Sequence, residues 1–240
     1  NTSVTRLQRP ENVSQLVLSE LEAERYEQGS TWVVNAKTQN AEKIDTDAAP
    51  PKGKASNFGL LGYNSFWLDP GAHLARVKGE VRTSWIVEPS NGQMPVIPAA
   101  NKAFAGFGSF DTYETRPLSE RCLLFGRQAG PIMQNAIYNN NFQFVQSPGY
   151  VTILVEMVHE PRIIPIFKSK ADVKYRPGAI KPWFGDSVGW YEGDTLVVET
   201  KNVNPNQLQA MISPTGKLTE RFSRWSEDQI LYEFQVDDPA

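Results

Sequence analysis

YNNNFQFVQSPGYVTILVEMVHEPRIIPI, residues Tyr138 to Ile166, is the stretch from which the rest of the chain is read. It holds the longest strand-like run, a dense polar cluster and a histidine with acid neighbours. In an extended segment successive side chains alternate between faces. Taken as one strand, Val151–Glu160 puts Val151, Ile153, Val155, Met157 and His159 on one face, and Thr152, Leu154, Glu156, Val158 and Glu160 on the other. This pattern sets the stretch across the middle of a β-sheet, lining whatever site the protein has. Pro161 has no N–H to give and interrupts the ladder, and Arg162 follows at the rim.

The C-terminal third repeats the β signal. Ser187–Tyr191 and Thr195–Lys201 flank a Glu192-Gly193-Asp194 turn, and Leu218–Trp225 and Ile230–Val236 flank Ser226-Glu227-Asp228. The two hairpins echo each other at Trp190/Trp225, Glu192/Glu227 and Leu196/Leu231. No third copy follows, so they are two uses of one hairpin type and not a solenoid. Upstream, Val81–Glu88 alternates and Pro89-Ser90-Asn91-Gly92 is a turn. The fold class is therefore mainly β: an antiparallel meander forming a barrel or strongly curved sheet. One amphipathic helix is expected within residues 1–28, with Pro10 near its first turn, Val13, Leu16, Val17 and Leu21 at helical spacing, and Gly29 as its stop. The chain divides into an N-terminal arm of helix and polar loop, 1–58, and one β-rich domain, 59–240.

Composition narrows the function classes. With 40% hydrophobic residues the chain has material for a core, and a formal charge of -3 with no like-charge run speaks against a nucleic-acid partner. Seventeen Pro and seventeen Gly suit short strands and turns. No apolar run reaches the roughly 20 residues of a membrane helix. The single cysteine, Cys122, reads as a buried, inert thiol. His73 and His159 come with no Cys pair and no HExxH, so no metal is expected. No P-loop or G-x-G-x-x-G occurs, so no nucleotide cofactor is expected. Gly185-Asp186-Ser187-Val188-Gly189 spells G-x-S-x-G but leads into the strand Ser187–Tyr191 instead of opening a helix, so no serine-hydrolase elbow is expected. The chain opens Asn1-Thr2-Ser3 without Met, as a processed or trimmed product would.

Several long motifs resemble a large group of uncharacterised bacterial proteins whose precursors usually carry an export signal. They are RTSWIVEPSNG (82–92), RPLSERC (116–122), YNNNFQFVQSPGYVTILVEMVHEPRIIP (138–165), GDSVGWYEGDTLVVETKN (185–202), ERFSR (220–224) and LYEFQVDDP (231–239). The resemblance covers about residues 60–240 and implies an exported β-rich protein, periplasmic or extracellular. It assigns no catalytic residue. Glu160 stands where the group usually has Asp, and Val188, Trp190 and Tyr191 stand where it has Arg, Arg and Trp.

The candidate chemistry gathers near the end of the long strand. His159 closing an apolar face is a neutral base, with Arg162 and Arg82 to steady a developing anion and Glu156 or Asp186 to orient or donate. The other reading of His159 is a structural histidine bonded to backbone. Tyr138, Asn139, Asn140 and Asn141 offer polar groups to a ligand, or the asparagines satisfy a tight turn. Trp183 and Tyr63 are candidate stacking surfaces, or ordinary β-core. Three functions follow: an exported small-molecule enzyme using metal-free acid–base chemistry (lyase, isomerase or hydrolase), a lipocalin-like binder of an apolar or aromatic ligand, or a subunit of an extracellular assembly, a homo-oligomer joined through the N-terminal helix.

Overall fold

The computed structural model describes residues 3–29, 71–96, 112–116, 118–124, 130–135, 139–157, 161–205 and 211–239. The polar loop 35–58, the aromatic segment holding Tyr63 and Trp67, and the site candidates Tyr138 and His159 lie outside them. Two compact units emerge: Asn1–Pro95 with Asn135–Asn140, and Val96–Gln134 with Asn141–Ala240.

The first unit is small. Strands β1 (Val17–Leu18), β2 (Ala75–Val77) and β3 (Glu80–Arg82) form a sheet in the order β1-β3-β2. Lys78 and Gly79, at φ 53° and 85°, make the two-residue β2–β3 turn, the positive-φ pair that suits strand twist. Helix α1 (Glu20–Gly29) follows β1. Val4, Ala23, Leu74 and Val81 form the core.

The expected helix thus exists but starts later than its apolar spacing suggests. Val17 and Leu18 are strand partners of Arg82 and Val81, and Leu21 is 57% exposed. Ser19 sets the boundary. Its hydroxyl and backbone N–H donate to Glu22 Oε2 at 2.6 and 2.9 Å, while Glu22 N–H returns a bond to Ser19 Oγ at 3.4 Å. This reciprocal box satisfies N–H groups that a helix start leaves orphaned.

The second unit is a seven-stranded, mostly antiparallel sheet curled into a half-barrel. Its strands are β4 (Phe142–Ser147), β5 (Tyr150–Val155), β6 (Pro161–Phe167), β7 (Asp186–Glu192), β8 (Thr195–Lys201), β9 (Lys217–Arg224) and β10 (Ile230–Asp237), in the order β10-β9-β8-β7-β6-β5-β4. Every neighbouring pair is antiparallel except β6–β7, which is parallel. Both C-terminal hairpins form where the sequence places them.

The opening stretch, however, is three strands at one end of the sheet and not a single strand through its middle. β5 stops at Val155, and Leu154 already pairs with Pro161 of β6. Pro161 does not interrupt a strand; it begins one, at the position where a missing N–H costs least. The predicted inward face holds as far as it is described: Val151, Ile153, Val155 and Met157 are all buried.

Inward-facing Val151, Ile153, Ile164, Leu196, Val198 and Phe222 make the main core. Ile132, Val203, Ile212 and Leu218 fill a second cluster. The 168–185 crossover between β6 and β7 covers the outer side of β7 and β8, so Val188, Trp190 and Val197 are buried there too. Cys122 departs from expectation. It lies at φ 55° on the turn closed by Leu123 N–H to Leu118 O, and is exposed.

Candidate functional site

Two faces of the half-barrel hold polar groups that the strands bring together. On the concave face, alternation puts Arg162 of β6, Ser187 of β7, Thr200 of β8 and Glu220 of β9 inward, in register with the apolar core. Arg162 and Glu220 are 2% and 0% exposed at their side chains. The guanidinium donates to both Glu220 oxygens, at 3.1 and 2.5 Å, and to the Pro131 carbonyl at 2.8 Å. It also reaches Ser187 Oγ at 3.3 Å and Thr200 Oγ1 at 3.4 Å, and those hydroxyls bond each other at 2.8 Å. Tyr232 of β10 donates to Glu220 Oε1 at 2.9 Å and accepts from Met133 N–H at 3.2 Å.

Burial works against the Arg162 cation, but the Glu220 carboxylate outweighs it and raises the guanidinium above its ordinary value. Burial, with the Glu220 charge beside it, pushes the Tyr232 phenol well up, so it stays a neutral donor. Arg162 Nε is buried without a hydrogen-bond partner.

Over this polar centre runs an aromatic ladder. Phe144 of β4 meets Phe222 of β9 edge-on with centroids 5.6 Å apart. Phe222 and Tyr232 are 5.1 Å apart, Tyr232 and Phe234 5.9 Å. Edge-on and tilted contacts at these separations suit the ring quadrupoles. The β4–β9 contact spans the opening of the curl. Phe222 is buried, whereas Phe144, Tyr232 and Phe234 keep part of their surface in solvent.

The outer face carries a second cluster. Tyr175, from the crossover, donates to Glu199 Oε1; Lys201 pairs with the same oxygen at 3.0 Å and lies 4.4 Å from the Tyr175 ring centre. Burial and the Glu199 carboxylate raise the Tyr175 phenol far above its usual value. Burial alone would raise Glu199; hydrogen bonds from Tyr175 and Lys201 outweigh it and hold the carboxyl low. Asp186 accepts from Arg176 N–H at 2.6 Å and pairs with its Nε at 3.5 Å.

The sequence-derived candidates therefore divide. Arg162 is in the core and not at the rim, because pairing with Ile153 turns it inward. Asp186 is buried on the opposite face of the sheet. Glu156 lies in the turn after β5, where its Oε2 accepts from Asn141 N–H at 3.2 Å and Nδ2 at 2.8 Å. Asn139 sits at φ 48°, the left-handed conformation a turn asparagine adopts; Asn140 is bonded too. Arg82 belongs to the first unit and pairs with Glu80 at 2.5 Å. Trp183 packs with Leu118, Leu124 and Phe184.

Sequence reasoning missed Glu220, Thr200 and Tyr232. Glu220 carried a legible signal: it stands between Leu218 and Phe222 on the alternating buried face of β9, so an acid occupies a core register.

Elsewhere, His73 Nδ1 lies 2.9 Å from buried Glu27, which also accepts from Leu74 N–H at 2.8 Å. A surface depression of about 560 Å³ is lined by Tyr113, Arg116, Glu120, Arg121 and Leu123, all from one short segment. Among the described residues no group of three His, Cys, Asp or Glu is placed to hold a metal ion, and no helix is long and apolar enough to cross a membrane. The chain matches no protein-family model, none of the curated proteins and none of the solved structures with which it was compared.

Proposed function

We propose that the half-barrel is a lipocalin-like binding module whose concave face takes an apolar or aromatic small molecule. The observation that carries this is the aromatic ladder, with Phe144, Tyr232 and Phe234 only partly buried. A planar guest gains stacking and apolar burial there. Tyr232, fixed by Glu220 and Met133, sets the polar end of such a site.

Binding is favoured over acid–base turnover because the charged groups are already committed. Arg162 is saturated by Glu220 and Pro131 at both terminal nitrogens, and Asp186 is engaged with Arg176 across the sheet. An anion-stabilising arginine needs a free donor aimed at the reacting atom, and the one unpaired donor of Arg162, its Nε, is buried in the core.

The test is fluorescence titration of the folded protein with N-phenyl-1-naphthylamine, a neutral aromatic probe. The proposal expects saturable binding, weakened about tenfold or more by Phe144→Ala and by Phe234→Ala, each loss being about 1.4 kcal/mol. Ile163→Ala, on the outer face, should leave it unchanged. Absence of saturable binding, or equal loss in all three variants, overturns the proposal.

A further inference from the structure

The sheet ends in two edge strands, β4 and β10, and they differ in chemistry. β10 shows Glu233 and Asp237 on its exposed row, the kind of charge that normally keeps an edge from pairing with another chain. β4, FQFVQS, has no charge, proline or glycine. No Asp, Glu, Lys or Arg side chain projects from the outer face of β4, β5 or β6. That face instead shows Val145, Tyr150 and Ile163, at 47%, 49% and 56% exposure.

The register says which backbone groups look outward. Ser147 pairs with Tyr150 across the two-residue turn, and Glu156 N–H donates to Asn141 O at 3.0 Å. Gln143, Val145 and Ser147 therefore spend their N–H and C=O groups on β5, and Asn141 spends its own on Glu156 just beyond it. Those of Phe142, Phe144 and Gln146 point to the open edge. Among the described residues no further strand pairs there.

We propose that β4 is a self-association edge: two copies pair β4 to β4, antiparallel, about a two-fold axis at Phe144. Phe144 then exchanges bonds with its own copy, and Phe142 with the partner's Gln146, for about six hydrogen bonds in all. Gln143 lies directly opposite the partner's Val145 in the close, non-hydrogen-bonded position. A two-fold axis sets a surface against itself, so a lone charge beside it is left unmatched or meets its like unless a complementary charge stands at the paired position. An uncharged edge beside an uncharged face satisfies that symmetry without any such match, and it is why a second copy fits this edge.

The experiment is analytical ultracentrifugation in reductant, which keeps exposed Cys122 from cross-linking. Wild type should sediment at twice the 26.9 kDa chain mass. Gln143→Lys with Val145→Lys places lysine opposite lysine at both symmetric pairs and should lose the dimer. Gln143→Glu with Val145→Lys makes each pair Glu against Lys and should restore it. Because both side chains are exposed, folding is checked simply, by an unchanged far-UV spectrum. Hydrogen exchange supplies a measurement free of variants: the amides of Phe142, Phe144 and Gln146 should lose protection on dilution. A monomeric wild type, whether or not an extended peptide binds it, overturns the proposal. So does a dimer that survives the two lysines, a Glu/Lys variant that stays monomeric, or protection indifferent to concentration.

Discussion

Replacing Glu220 by glutamine tests whether the half-barrel depends on its buried ion pair. The change keeps the size of the side chain and removes its charge. One amide oxygen still accepts a bond, from Arg162 or Tyr232. The amide nitrogen, however, takes the place of an acceptor and faces a donor, in a site where both side chains are at most 2% exposed. Arg162 keeps its 2.8 Å bond to Pro131 but becomes an uncompensated cation in the core. Removing one partner of a buried pair typically costs about 3–5 kcal/mol. In urea, with a slope of about 1–3 kcal/mol/M, the midpoint for the half-barrel should fall by at least about 1 M. The paired replacement Arg162→Met with Glu220→Leu removes both charges and should regain part of the loss. It remains about 1–3 kcal/mol below wild type, because the Pro131 carbonyl loses its donor. A glutamine variant within about 1 kcal/mol of wild type, or a double variant less stable than the single, would refute the reasoning that an unpaired charge carries the cost.

Two further outcomes follow from local geometry. Glu199 is held below the ordinary carboxylate range, so its contribution to stability is present above the unfolded carboxylate value of about 4.3 and is lost as pH falls through the folded value. Tyr175→Phe removes a hydrogen bond that holds it low, so the Glu199 titration followed by carbon NMR should move up; an unchanged titration assigns the depression to Lys201 alone. Ser19→Ala opens the capping box and should cost about 0.5–2 kcal/mol locally, read as faster hydrogen exchange confined to α1; unchanged exchange there means that packing on Ala23 fixes the helix without its cap.

The fold class was legible in the sequence because its signal is periodic and survives small errors of boundary. The hairpin Lys217–Asp237 is the clearest case: alternation along Lys217–Arg224, then the Ser226-Glu227-Asp228 turn, then alternation again along Ile230–Asp237. Two readings failed where a periodic pattern crossed a boundary unbroken. The alternation from Val151 runs on past Val155, yet the chain turns at Glu156, so position in the pattern says nothing about His159. The apolar spacing of Val13, Leu16, Val17 and Leu21 likewise fits a helix, but Val17 and Leu18 pair with β3 and the Ser19-x-x-Glu22 signature marks the true start. Site residues were harder for a different reason. An arginine one residue from a strand start can face either way, and only the pairing of Arg162 with Ile153 turns it inward. Its partner is 58 positions away in sequence, and neither residue alone shows that the other exists.

The place of that ion pair in the sheet explains more than its contribution to stability. Antiparallel neighbours in the half-barrel share long registers, but the parallel junction of β6 and β7 shares only Ile166–Gly189 and Phe167–Trp190. Backbone pairing alone specifies this seam poorly. Side chains make up the difference on both faces. Gly189 has no Cβ, and one placed there would lie 2.9 Å from Ile166 Cδ1, so the glycine is the socket that lets β6 close on β7. On the concave side Arg162 reaches from β6 to Ser187, Thr200 and Glu220 on the three strands beyond the seam. On the outer side the crossover is tied back by Tyr175 to Glu199 and by Arg176 to Asp186. A buried charge pair is a costly way to add stability but a selective way to fix alignment, since a slip by one residue would strand both charges. The aromatic ladder needs that alignment: Phe144 and Phe222 come from opposite sides of the seam, and their 5.6 Å contact exists only while β6 holds its register on β7.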